Sequence, residues 1–182
     1  MWLHGTQSWN KTPGHPVTEA DIAVNELLKA RLMTARPHYG WLSEETPDDI
    51  RRRLKRKVWV VDPIDGTRAF VRNVPEFTVC AALVEDGRPV AGVVSNPATG
   101  EIFEAVAGGG ARCNGRHMRI GVECVLTQAS VLGSSKRIQD HTGPLGGTKF
   151  RTVHSIAYRL ALVASGEANA TVAINALHDW DL

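Results

Sequence analysis

The sequence predicts an α+β fold, and three observations predict it. A well-capped amphipathic helix lies near the N-terminus, tight turns join period-two segments through the middle, and a strand–helix–strand pattern fills the last third. Thr18 and Asp21 have the spacing of a capping box just after Pro16, which starts the helix. Ala20, Val24, Leu27, Leu28 and Leu32 then recur as one apolar stripe expected to face the core, and Pro37 and Gly40 end it. Residues 41–49 read as a loop. Residues 51–57, the most basic stretch, read as a solvated face, because they lack the interleaved aromatics of a nucleic-acid surface.

From residue 58 the period changes to two. Residues 58–61 read as a buried strand that stops at Asp62-Pro63, since proline cannot continue a central ladder. Strands at 77–85 and 88–95 flank Asp86-Gly87, a strong two-residue hairpin signal. A further strand at 101–107 follows Thr99-Gly100, and Asn114-Gly115 marks another hairpin. This block is an antiparallel meander with helical cover. Short strands at 130–133, 150–153 and 170–174 surround a helix at 155–165, with Ile156, Leu160 and Val163 inside and Gly166 at its C-terminal cap. That order predicts parallel α/β pairing. Two domains are therefore expected, an N-terminal α+β unit over 1–124 and part of an α/β unit over 125–182.

Composition narrows the function. Of 182 residues, 43% are hydrophobic and 22% charged, which excludes disordered and fibrous classes. The 21 basic against 19 acidic residues leave a net charge of +2, too small to make nucleic acid or a membrane the main partner. The longest clear apolar run, 77–84, falls well short of the ~20 residues of a membrane-spanning helix. The N-terminal residues lack the layout of a secretory signal, and Cys80, Cys113 and Cys124 form no CxxC. A reducing, cytoplasmic setting is the expectation.

The sharpest chemical feature is Asp62-Pro63-Ile64-Asp65-Gly66-Thr67 at the end of a strand. Asp62, the Ile64 carbonyl and Asp65 offer hard oxygen ligands suited to Mg²⁺ or Mn²⁺. Gly66 and Thr67 follow at the start of a turn or short helix, where backbone N–H groups can hold a phosphate. Carboxylates, metal and phosphate donors within six residues describe metal-assisted phosphoryl chemistry. The rival reading is a β-turn capped by aspartates. Gly108-Gly109-Gly110 lacks the context of a dinucleotide site, and the seven histidines have no paired-ligand spacing.

Trp59-Val60-Val61-Asp62-Pro63-Ile64-Asp65-Gly66-Thr67 resembles the first signature of the inositol monophosphatase superfamily of metal-dependent phosphatases. The resemblance extends to Thr18-Glu19-Ala20-Asp21, Ser43-Glu44-Glu45, Asn96-Pro97 and the 108–115 segment, and ends at Trp180-Asp181, which looks like the start of a second signature. It implies a layered α/β sandwich. It also implies Glu44, Asp62, Asp65 and Asp181, with the Ile64 carbonyl, as ligands of two or three Mg²⁺ ions, or Mn²⁺ in their place. Asp21 and Thr67, with Glu44, would orient and deprotonate the attacking water, and the N–H groups of Gly66 and Thr67 would receive the phosphate. The bland rivals are a capping role alone for Asp21 and a solvated acidic loop for Glu44 and Glu45.

The implied activity is hydrolysis of a small phosphorylated metabolite, with no nucleic-acid or membrane partner and a homodimeric assembly when complete. Inositol-specific relatives carry threonine after the Gly-Thr pair, where this chain has Arg68. That cation is more like the 3′(2′),5′-bisphosphate nucleotidase and histidinol-phosphatase branches, so a nucleotidase is expected first and an inositol-1-monophosphatase second. Ser155 is the expected substrate-side contact, although His154 stands before it where glycine is usual. Family members extend further at both ends, so the third expectation is a shortened chain that binds metal or phosphate without turnover.

Overall fold

The computed structural model of the chain describes residues 5–12, 15–121, 125–143, 145–174 and 180. Asp181 and Cys124, named above, lie outside the described residues. Strands β1 (Ser8–Thr12) and β2 (His15–Thr18) form an antiparallel hairpin that the sequence reading does not anticipate. Its last residue, Thr18, is extended and caps helix α1 (Glu19–Ala35). The capping box is complete: Thr18 Oγ1 accepts from the N–H groups of Ala20 and Asp21 at 3.2 and 3.3 Å, and Asp21 Oδ2 accepts from Thr18 N–H at 2.8 Å.

The inward face of α1 differs from expectation. Ala20, Asp21 and Asn25 are buried, whereas Leu27 is 57% exposed. The helix docks through polar atoms whose partners lie far along the chain. Ser43 Oγ donates to Asn25 Oδ1 at 2.7 Å, and Asn25 Nδ2 donates to Thr46 Oγ1 at 3.1 Å. Satisfied in this way, a buried Asn need not be more costly than a leucine.

The main sheet has seven strands in sequence order: β3 (Gly40–Ser43), β4 (Lys57–Asp65), β5 (Thr78–Glu85), β6 (Arg88–Asn96), β7 (Glu101–Val106), β8 (Gly110–Cys113) and β9 (Arg116–His117). From β4 to β9 every neighbouring pair is antiparallel, as the meander requires. Asp86 and Gly87 both take positive φ at the β5–β6 turn, as do Asn114 and Gly115 at the β8–β9 turn. Two expectations need correction. Residues 40–43 are a buried strand rather than the start of a loop, and β3 pairs with β4 in parallel. Strand β4 also continues past Asp62-Pro63 to Asp65, because Pro63 falls in an irregular step between the pairs Asp62↔Cys80 and Asp65↔Thr78, where no ladder N–H is needed. The basic stretch is solvated as expected, with a short 3₁₀ turn over Ile50–Leu54.

The second sheet has order β11-β10-β12, all parallel: β10 (Ser130–Leu132), β11 (Lys149–Arg151) and β12 (Ala170–Thr171). Helix α2 (Thr67–Val71) follows β4, α3 (Ser135–Thr142) links β10 to β11, and α4 (Ile156–Ala164) links β11 to β12. The fully buried residues of α4 are Tyr158, Arg159, Ala161 and Leu162; of the three expected inside, Val163 packs partly buried against the core, Ile156 is half-buried and Leu160 is 41% exposed. Arg159 accounts for the rotation, since its guanidinium is satisfied inside by the Val172 carbonyl at 2.9 Å. Phe103 of β7 packs with Leu132, Tyr158 and Leu162, which joins the two sheets through one apolar cluster. Among the described residues no helix is long and apolar enough to cross a membrane.

Within that cluster, Tyr158 donates its hydroxyl to Glu101 Oε2 at 2.5 Å. Burial first, and then the Glu101 carboxylate that holds the proton, push the phenol up to about 12. The folded state therefore keeps a proton that the unfolded chain releases near 10, so stability falls as pH rises from about 10 to about 12. Unfolding transitions across that range should show this loss in the native chain, and Tyr158→Phe should remove it.

Candidate active site

The site is built where β4 ends. Asp62 and Asp65 are 3% and 8% exposed, and the irregular step at Pro63 and Ile64 separates them. The chain then turns at Gly66, whose φ of +92° is left-handed. A Cβ at Gly66 would also stand 2.8 Å from the Glu76 carbonyl and 3.2 Å from Ser155 N. Both the dihedral and the contact demand glycine. Gly66→Ala is expected to cost about 1–3 kcal/mol of stability, read from denaturant unfolding.

Helix α2 begins directly after this turn. Its first backbone bonds run from Ala69 and Phe70 N–H to the Gly66 carbonyl, at 2.8 and 3.1 Å, so Gly66 and Thr67 stand ahead of the first intrahelical donor. Thr67 Oγ1 is 3.0 Å from the Ile64 carbonyl and 3.2 Å from Asp21 Oδ1. One hydroxyl proton serves two acceptors here. Burial raises the Asp21 pKa, and the Thr18 and Thr67 hydrogen bonds only partly counter it. Asp21 thus does two jobs from its two oxygens: Oδ2 holds the cap of α1 and Oδ1 faces Thr67.

Glu44 follows β3, and its N–H donates to the Val61 carbonyl at 3.3 Å, which sets it beside the strand that carries Asp62. Its carboxylate pairs with Lys11 Nζ at 3.1 Å, and the same ammonium also bonds Glu45. Burial works against the Lys11 charge, but the two carboxylates outweigh it and raise its pKa. Arg68 is on the exposed side of α2.

Ser155, the N-cap of α4, is fully buried. Its hydroxyl donates to Asp65 Oδ2 at 2.6 Å and lies 2.9 Å from Thr78 Oγ1, while Ala157 N–H donates to the same Asp65 oxygen at 2.6 Å. The structure therefore brings Asp21, Ile64, Asp65, Gly66, Thr67 and Ser155 together, and β3 delivers Glu44 beside β4. Lys11, Thr78 and the Ala157 N–H are additions that sequence reasoning missed. Ser155 is expected at the substrate, and nothing local to it names Asp65 as its partner.

An apolar cavity of about 680 Å³ lies elsewhere. It is a groove lined by β5–β8 residues such as Ala82, Val93 and Ala105, with Leu160 of α4 and Trp180; Ala157 borders it, but Asp21, Glu44, Asp62, Asp65 and Thr67 do not. The buried polar and ionisable groups converge at the β4 terminus instead.

A statistical description of the inositol monophosphatase family matches residues 4–182. The chain belongs to the inositol monophosphatase family. Among relatives, it is 40% identical over 121 residues to the inositol-1-monophosphatase of Rhizobium meliloti strain 1021, an alignment covering 66% of this chain and 45% of that protein. It is 31% identical over 179 residues to the 3′(2′),5′-bisphosphate nucleotidase CysQ of Escherichia coli K12, covering 94% of this chain and 72% of that one. The extragenic suppressor protein suhB of Bartonella henselae superimposes with a TM-score of 0.87 at 29% identity, over 99% of this chain and 72% of that one. The layered α/β architecture of the inositol monophosphatase family is thus the fold of this chain. The match to the Rhizobium relative spans less than half of that protein's length.

The family's metal requirement meets a donor set of the right kind. Glu44, Asp62 and Asp65 carboxylates and the Ile64 carbonyl are all hard oxygen donors on neighbouring strand ends. Among the described residues, no three His, Cys, Asp or Glu side chains gather to hold an ion on their own. Glu44 is turned to Lys11, and Asp65 Oδ2 is turned to α4.

Proposed function

We propose that the chain carries the active site of a Mg²⁺-dependent phosphomonoesterase acting on a small phosphorylated metabolite, and that the substrate is a 3′(2′),5′-bisphosphate nucleotide. The observation that carries this reading is the segment from Asp62 to Thr67. It holds two buried carboxylates, a left-handed glycine and a threonine hydroxyl bonded toward Asp21. Glu44, Asp62, Asp65 and Asp181, with the Ile64 carbonyl, would hold the divalent ions. When bound, these ions supply charge neutralisation at the phosphate and a lowered pKa for water.

The remaining chemistry falls to the chain itself. The Gly66 and Thr67 N–H groups are the phosphate donors, in a turn that only glycine can form. Thr67 Oγ1 can donate its hydrogen bond to the Ile64 carbonyl in place of Asp21, which leaves Asp21 Oδ1 able to take a proton from an attacking water. The raised pKa of Asp21 suits it to hold that proton after the step. Attack by water is direct, without a covalent enzyme intermediate; among the described residues the Ser155 hydroxyl is taken up by Asp65, Thr78 and Tyr158.

Arg68 favours the nucleotide among family substrates. An exposed cation on α2, next to the phosphate turn, can meet a second anionic group by a charge-assisted contact. The alignment with the Escherichia coli nucleotidase over nearly the whole chain supports the same choice. The second reading, an inositol-1-monophosphatase, is favoured by the higher identity to the Rhizobium enzyme. Phosphate release with Mg²⁺ separates the two. Adenosine 3′,5′-bisphosphate should show the higher kcat/KM, and Arg68→Thr should bring inositol 1-phosphate closer to it. Equal or reversed values in the native chain would move the assignment to the second reading. Metal binding without release from any phosphomonoester would leave a binding protein instead of an enzyme.

A further inference from the structure

We propose that Glu76 and His154 form a positioning pair that fixes the direction of the Asp65 carboxylate through Ser155; the inference rests on the metal-dependent reading above. The two turns that carry them are tied twice. Ser155 N–H donates to the Glu76 carbonyl at 3.3 Å, and His154 Nδ1 lies 2.8 Å from Glu76 Oε2. Both side chains are about one quarter exposed, at 28% and 24%, so the pair closes over a buried layer of Ser155, Thr78 and Asp65.

That layer leaves Ser155 little freedom. Its hydroxyl oxygen accepts from Tyr158 N–H at 2.9 Å, touches Thr78 Oγ1 at 2.9 Å and donates to Asp65 Oδ2 at 2.6 Å. The hydroxyl's position is therefore set by the backbone at 154–155, which the Glu76–His154 bond holds down. Ala157 N–H reaches the same Oδ2, and two donors on one oxygen fix the rotation of the carboxylate. Gly66 abuts the same junction, close to Glu76 O and Ser155 N, so a shift there is felt at the phosphate turn as well. The His154 side chain thus adds a side-chain clasp to the backbone tie between the two turns.

The test compares His154→Ala, Glu76→Ala, the double variant and His154→Gln, whose amide can still donate to Glu76. Three quantities are read on the full chain: Mn²⁺ affinity by calorimetry, exchange of the Ala157 amide hydrogen, and Tm. Each alanine variant should weaken Mn²⁺ binding about 3–10-fold and speed Ala157 exchange by a similar factor, as for loss of one ordinary hydrogen bond. The double variant should be no worse than either single one, and His154→Gln should return to within about twofold of the native chain. Unchanged Ala157 exchange in the alanine variants, an additive loss in the double variant, or no rescue by glutamine would overturn the pair's role. If the native chain itself binds no Mn²⁺, the metal-dependent reading falls, and Ala157 exchange still decides the positioning claim. An alanine variant that fails to fold is replaced by Glu76→Met, which keeps the side-chain bulk and removes the acceptor; faster Ala157 exchange at native Tm supports the pair and native exchange sinks it.

Discussion

Asp65→Asn is expected to lower Mg²⁺-dependent phosphate release by more than about a hundredfold while leaving the unfolding transition nearly unchanged. The amide oxygen can still accept from Ser155 Oγ and Ala157 N–H, the two donors that hold Asp65 Oδ2 at 2.6 Å. What disappears is the negative charge, and with it the hard anionic donor that a divalent cation needs. The paired measurement matters. Lost activity with a lost fold would show only that Asp65 is structural, and undiminished activity would remove Asp65 from the metal site altogether.

The second large effect separates the two roles of Asp21. Asp21→Asn keeps an acceptor for Thr18 N–H and so preserves the cap of α1, but it removes the group that takes a proton next to Thr67. Activity should drop by about 10²–10⁴-fold, the range of a positioned general base. Asp21→Ala should show the same kinetic loss and a further loss of about 1 kcal/mol of stability from the broken cap. The pH dependence gives a second reading. Because burial raises the folded pKa of Asp21 above its ordinary 3.8, the folded state binds the proton more tightly, and stability declines as pH rises from about 3.8 through the raised value. In Asp21→Asn that part of the decline should be absent from a series of urea titrations. A decline identical in both proteins would assign it to other groups; burial also raises Glu45.

The parts of the fold that were legible in the sequence are those specified by neighbours. Asp86-Gly87 and Asn114-Gly115 announce their hairpins because the turn geometry demands positive φ at adjacent residues. Thr18 and Asp21 announce a helix start because a capping box closes within one turn. The Asp62-to-Thr67 segment was legible for the same reason, being contiguous. What escaped depends on distant partners. The inward face of α1 is hidden from local patterning because Asn25 finds Ser43 and Thr46 about twenty residues on, and the apolar stripe then loses its claim to the core. β3 looks like loop in the sequence because four residues buried along their length, beside a parallel partner, show no alternation. Strand β4 outran its proline because an irregular pairing removed the need for an N–H, which no local rule reveals. Lys11 on Glu44, and Ser155 on Asp65, join residues 33 and 90 positions apart.

That last separation has a consequence in time. Ala157, the other donor to Asp65, is 92 positions downstream of it. A ribosome adds roughly 5–20 residues per second, so Asp65 is synthesised on the order of 5–20 s before the donors that aim its carboxylate exist. During that interval the meander strands can already pair, since their contacts are local and their turns are self-specified. The nascent chain would then display the Asp62-to-Thr67 segment on a formed sheet with an unaimed carboxylate until α4 arrives. The N-terminus of that helix would then seat on Asp65 and fix its direction late and in one step.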